Sequence, residues 1–145
     1  MAQRAQAEEE LRRLSMEMRY LEQTAETLQQ RISMVNAALT DINYANMTLD
    51  GIEKEKENSE LLVPIGGSSY VKVKLADPNK VIIGLGSGVS VEKTLPEAKS
   101  TLKERLDELE KTMHSAQQQF SQVAERINSG RSRLENLLST REGKQ

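Results

Sequence analysis

The chain has no cysteine and no tryptophan, one histidine, three prolines and only four aromatic rings, at Tyr20, Tyr44, Tyr70 and Phe120. Each shortage excludes something. Without cysteine there is no disulfide framework, thiolate nucleophile or cysteine-bound zinc. So few rings argue against a globular core, which normally leans on large aromatic side chains. Charge of one sign is also lacking: 20 basic and 22 acidic residues leave a formal net charge of -2, mixed along the chain. No basic field marks a nucleic-acid surface, so no nucleic-acid partner is expected. No apolar run approaches the ~18 residues of a membrane span, and the first residues lack the apolar stretch of a signal peptide. These absences lead us to expect a soluble cytoplasmic protein without a membrane partner.

What is present is periodicity. Leu11, Leu14, Met18, Leu21, Ala25, Leu28, Ile32, Val35, Leu39, Ile42, Asn46 and Leu49 recur at alternating spacings of three and four. So do Leu95, Lys99, Leu102, Leu106, Leu109, Met113, Ala116, Phe120, Val123, Ile127, Gly130, Leu134 and Leu137, with Lys99 and Gly130 as the interruptions. Such a repeat without internal proline predicts two coiled-coil helices, over about 3–57 and 95–141. Thr94 and Glu97 form a Thr-x-x-Glu capping box, with Pro96 in the first turn of the second helix.

Between the helices, in 58–95, the period falls to two. Leu61–Ile65 and Tyr70–Leu75 flank Gly66-Gly67-Ser68-Ser69 and predict one β-hairpin. Val81–Leu85 and Val89–Glu92 flank Gly86-Ser87-Gly88 and predict a second, with Asp77-Pro78-Asn79-Lys80 as the joining turn. The expected fold is therefore mainly α with a small β part, one domain in which a long antiparallel two-helix coiled coil is joined by two hairpins. Isolated hairpins are marginal in water, so these strands call for strands of other chains.

Antiparallel helices can be aligned by their seam residues. Setting Leu11 on Leu137, Met18 on Gly130, Leu28 on Phe120 and Leu39 on Leu109 places large against small. It also brings Glu17 near Arg133 and Glu22 near Arg131, whereas a slide of one heptad sets Arg31 near Arg126. Met16, Tyr20 and Leu138 fall off the seam near its free end. They are either scattered surface hydrophobes or a contact site for an apolar partner.

Catalytic chemistry finds no foothold. Gly84-Leu85-Gly86-Ser87-Gly88 has Val89 where a dinucleotide loop needs glycine, and Gly66-Gly67-Ser68-Ser69 lacks the lysine of a phosphate loop. His114 falls on an outward helical position, and the carboxylates line solvated helix faces. No enzyme activity, cofactor or metal is expected.

The order helix, two hairpins, helix resembles the prefoldin family, and more closely its archaeal α-type subunit, the β-type relatives having a single hairpin. Leu62-Val63-Pro64-Ile65-Gly66-Gly67-Ser68-Ser69-Tyr70-Val71 is similar to the first-hairpin motif, and Val81 through Thr94 to the second hairpin entering the second helix. Ser68 departs from the glycine that many relatives carry. The resemblance implies a heterohexamer of two α and four β subunits on a double β-barrel body. It also implies an ATP-independent chaperone that captures non-native polypeptides and passes them to a group II chaperonin. Carried onto this sequence, the client surface is Leu11, Leu14, Met16, Met18, Tyr20, Leu134, Leu137 and Leu138. The oligomerisation surface is Val63, Ile65, Val71, Val73, Val81, Ile83, Val89 and Val91. A structural coiled-coil scaffold and a filament-forming paralogue are the alternatives.

Overall fold

The computed structural model describes residues 2–143. Helix α1 spans Ala2–Glu53, strands β1 Glu60–Gly66 and β2 Ser69–Lys74 form hairpin 1, strands β3 Lys80–Gly86 and β4 Val89–Thr94 form hairpin 2, and α2 spans Leu95–Gly143. Among the described residues no helix is long and apolar enough to cross a membrane. The chain divides into two compact units, one built from 2–37 with 111–143 and the other from 38–110.

In the first unit the helices run antiparallel along the expected seam. Met18, Leu21, Leu28, Val35 and Ala116 are buried there, all at the positions given by the three-four spacing. Gly130 lies against Met18: a methyl group built on it would come inside 3.0 Å of the Met18 Sδ, and 3.6 Å from its Cγ. The glycine that interrupts the apolar repeat is thus the hole that receives a long thioether knob, as knobs-into-holes packing requires. The charge pairing differs from expectation. Arg133 bonds Glu10 rather than Glu17, although Glu17 lines the same groove. Glu10 and Glu17 are one heptad apart on one helix edge, and exposed pairs are worth too little to choose between heptads.

In the second unit the end of α1 and the start of α2 carry hairpin 2. Leu49, Ile83, Leu95, Ala98 and Leu102 form a buried cluster, with Ile42, Ala45 and Val81 packed on it. Lys99, the second interruption of the repeat, reaches out of the seam to Asp50 at 3.0 Å and to Glu53. A long cationic stem can cover apolar surface while its ammonium meets carboxylates at the rim. The Glu53 hydrogen bond first, and then that of Asp50, raise the Lys99 pKa above its ordinary value of 10.5.

Helix α1 ends at Glu53 instead of about 57. Beyond Leu49 and Ile52 no apolar residue remains to hold it, and the backbone tightens into three-residue steps, Lys54 N–H to Gly51 and Glu55 N–H to Ile52. Helix α2 starts where its cap predicts, with the Glu97 N–H donating to Thr94 Oγ1 at 3.3 Å. The joining turn closes through the Asn79 N–H, which donates to Asp77 Oδ1 at 2.9 Å.

Candidate interaction surfaces

Positions set by the helical repeat decide which side chains of the first unit are free to touch anything else. Met16 is 65% exposed, Tyr20 68% and Leu138 41%. They occupy non-seam positions, so the helices leave them uncovered without any opening of the pair. Leu11, Leu14, Leu134 and Leu137 are half-buried in the seam. Met18 is different: at 8% exposure it is committed to the Gly130 hole. The client surface that the resemblance implies includes it, and in this structure it can meet a partner only if the helices part. The free end of the unit is thus a half-sealed seam flanked by three open apolar side chains.

Sequence reasoning passed over Met34, which is 74% exposed on the same helix. Its signal was present, since it sits off the three-four spacing just as Met16 does.

In the second unit the two hairpins are placed unequally. Both are antiparallel, with Val63 facing Val71 and Ile83 facing Val91. Side chains alternate between faces along a strand. Hairpin 2 turns Val81, Ile83 and Val91 towards its own helices and leaves Ile82 on the open face. Ile83 is buried at 6%. Expected on the interchain surface, it lies in a core cluster of this chain, and Val81 packs beside it. Arg105 Nη2 fastens the same strand by donating to the Gly84 carbonyl at 2.6 Å. Lys93 Nζ fastens β4 by donating to Thr101 Oγ1 at 3.1 Å.

Hairpin 1 has no such cover. Val63, Ile65, Val71 and Val73 are exposed on it, as are Leu62 and Tyr70, while Val89 and Leu85 are the open apolar residues near the turn of hairpin 2. All four strands sit in two-stranded sheets, so each has an unpaired edge. Hairpin 1 is thus an uncovered apolar ribbon with two unpaired edges.

No group of three or more metal-ligating side chains occurs among the described residues. The arrangement offers exposed apolar side chains and unpaired strand edges.

The family model described as a prefoldin subunit matches residues 21–139. A prefoldin subunit alpha of Pyrococcus horikoshii is 35% identical over 124 residues, covering 85% of this chain and 84% of the relative. One from Methanobrevibacter smithii is 28% identical over 95% of this chain and 94% of the relative. Among solved structures, a filamentous PFD from Methanocaldococcus jannaschii aligns with a TM-score of 0.66 at 22% identity, covering 77% of this chain and 92% of that one. The prefoldin beta subunit from Thermococcus strain KS-1 aligns at 0.59 with 16% identity, covering 88% and 90%.

Proposed function

This chain belongs to the prefoldin family, and from that premise we propose that it is the α-type subunit of a cytoplasmic, ATP-independent holdase. In this reading it assembles as two copies with four β-type subunits and captures non-native polypeptides at the free ends of its helix pairs. It then passes them to a group II chaperonin. No bond is made or broken, and no nucleotide, cofactor or metal takes part.

The observation that carries the reading is the set of open side chains at Met16, Tyr20 and Leu138, beside a seam whose last leucines are only half covered. An apolar surface that needs no opening can engage any unfolded chain that exposes hydrophobic side chains. Methionine suits this role because its flexible thioether adapts to partners of varied shape. Hairpin 1, with its exposed valines, supports the assembly half of the reading.

The test is suppression of aggregation for two unrelated denatured proteins without ATP, by this chain mixed with a β-type subunit and sized by light scattering. A hexamer that holds both proteins supports the proposal. A defined assembly that protects neither replaces it with a dedicated scaffold, and growth into long polymers replaces it with the filament-forming alternative. Serine at Met16, Tyr20 and Leu138 together should leave the hexamer intact and weaken protection. Unchanged protection would move the client surface elsewhere.

A further inference from the structure

Two thioethers on α1 stand side by side in sequence and in opposite surroundings. Met16 is 65% exposed, whereas Met18 is 8% exposed. A step of two residues turns about 200° around a helix, so Met18 faces the seam and Met16 faces solvent. The Met18 Sδ sits so tightly on Gly130 that a methyl group there would overlap it. Met34 and Met47 are exposed as well, and Met113 is half-buried.

The chain holds no thiol that could take an oxidant first, because it has no cysteine, and it has no tryptophan. Its exposed thioethers are therefore the side chains most open to attack by a hydroperoxide. Met16 is set apart from the others by its neighbours. It lines an open groove together with Gln6, Arg12 and Arg13, whereas the groove at Met34 is lined by Glu26, Gln29, Gln30 and Ser33. Arg12 and Arg13 stand four and three residues before Met16, and a helical side chain leans back over the preceding turn. A sulfoxide oxygen on Met16 would thus lie among guanidinium donors, which favour the polar product.

We propose that Met16 is a reversible oxidation site, at which a hydroperoxide turns client capture down without disturbing the helix pair. The proposal rests on the functional reading above, in which Met16 belongs to the client surface. In the step a lone pair on Sδ attacks one peroxide oxygen, an S–O bond forms and the O–O bond breaks. The proton carried by the transferred oxygen passes to the departing hydroxide, which leaves as water. The thioether is oxidised by two electrons and the peroxide is reduced by two. A flexible apolar side chain becomes a polar one, so its contact with hydrophobic client side chains is lost. Met16 lies off the seam, so the pairing of the helices is untouched and Met18 stays reduced in its hole. A dithiol-dependent sulfoxide reductase reverses the change, the oxygen leaving as water and the dithiol becoming a disulfide.

The experiment treats the full chain with limiting hydrogen peroxide, removes the excess with catalase and mixes the chain with an untreated β-type subunit. Peptide mass spectrometry reads sulfoxide at each methionine, light scattering reads assembly, and suppression of aggregation reads capture. Chains carrying Met34→Leu and Met47→Leu, with and without Met16→Leu, are each compared with their own untreated form. Sulfoxide is expected about tenfold faster at Met16 than at Met18, in step with their exposure. Capture should fall several-fold on oxidation where Met16 is present, return after treatment with the reductase, and hold its untreated level in the Met16→Leu chain, while the assembly keeps its size. Equal oxidation of Met16 and Met18, an equal fall in the Met16→Leu chain, or loss of the assembly on oxidation overturns the proposal. Undiminished capture by a chain whose Met16 is fully sulfoxide overturns it too and leaves the functional reading standing. An untreated assembly that captures neither client sinks the functional reading, and this proposal with it.

Discussion

Replacing Gly130 with alanine tests the seam at its most demanding point. Two effects oppose each other. In a helix interior alanine is favoured over glycine by about 1 kcal/mol. Against this, the new methyl would fall inside 3.0 Å of the Met18 Sδ, with Cγ at 3.6 Å and Cε at 3.7 Å. Met18 would have to leave a site where it is 8% exposed. Displacing a buried methionine or overpacking its site costs about 1–3 kcal/mol. The balance is a destabilisation of about 1 kcal/mol for Gly130→Ala. In a Met18→Ala background the obstacle is gone, and the same change should stabilise by about 1 kcal/mol. The double-mutant cycle should therefore show a coupling of about 2 kcal/mol and an inversion of sign. Urea unfolding followed by circular dichroism at the helical band measures it. If Gly130→Ala stabilises equally in both backgrounds, Met18 does not occupy the Gly130 hole and the alignment of the helices is wrong.

Three further outcomes are expected. The Lys99 pKa is raised in the fold by Glu53 and Asp50, so its contribution is fully present below the unfolded value of 10.5 and is lost as pH rises through the folded one. A Lys99→Met chain should lack this part of the alkaline loss, seen as a narrowing gap between the two melting temperatures above pH 10.5; a constant gap would refute it. Arg105→Ala removes the donor to Gly84 at a cost of about 1 kcal/mol, so hydrogen exchange should quicken about fivefold in hairpin 2 and not in hairpin 1. Ser68 holds φ at 59°, a left-handed conformation that costs a non-glycine residue about 1 kcal/mol, partly offset by the greater unfolded-state freedom of glycine. Ser68→Gly should therefore slow exchange in hairpin 1 about twofold, and faster exchange there would contradict the reading of the turn.

Much of this architecture can be read from residue spacing because its physics is local or periodic. The three-four repeat names the buried residues Leu21, Leu28 and Val35 directly, since a helix has only one face to turn to its partner. Thr94 and the Asp77 turn are equally legible, each being a short-range hydrogen bond whose donor lies two or three residues away. What escaped is set across long separations. Hairpins 1 and 2 have nearly the same alternation, so nothing local says that Ile83 packs with Leu49 and Ala98 while Val63 stays exposed. Similarly, the alignment of helices sets Glu17 near Arg133, and both line one groove, yet the ion pair forms with Glu10 one heptad away, because the edge repeats every seven residues. Met18 illustrates the same limit from the other side. Its place in the repeat marks it as apolar and distal, and only the glycine opposite shows that it is already occupied.

That distinction bears on how the proposed holdase would release what it holds. Fully burying a methionine or leucine side chain is worth about 1.5–3 kcal/mol, and Met16, Tyr20 and Leu138 start partly covered. Three such residues yield a few kcal/mol, less than the ~4–15 kcal/mol that association costs in lost freedom. In the proposed reading one helix pair would therefore hold a client weakly at best. Several pairs on one body would hold it more firmly, because after the first contact the others act at high effective concentration. Recruiting Met18 or the seam leucines would tighten each contact but require the helices to part, losing the burial of Leu21 and its neighbours nearby. A surface confined to residues outside the seam keeps every contact weak and the helix pair intact. In the proposed holdase, strength would then come from the number of helix pairs engaged, and a client that folds and withdraws its hydrophobic side chains would be released one pair at a time.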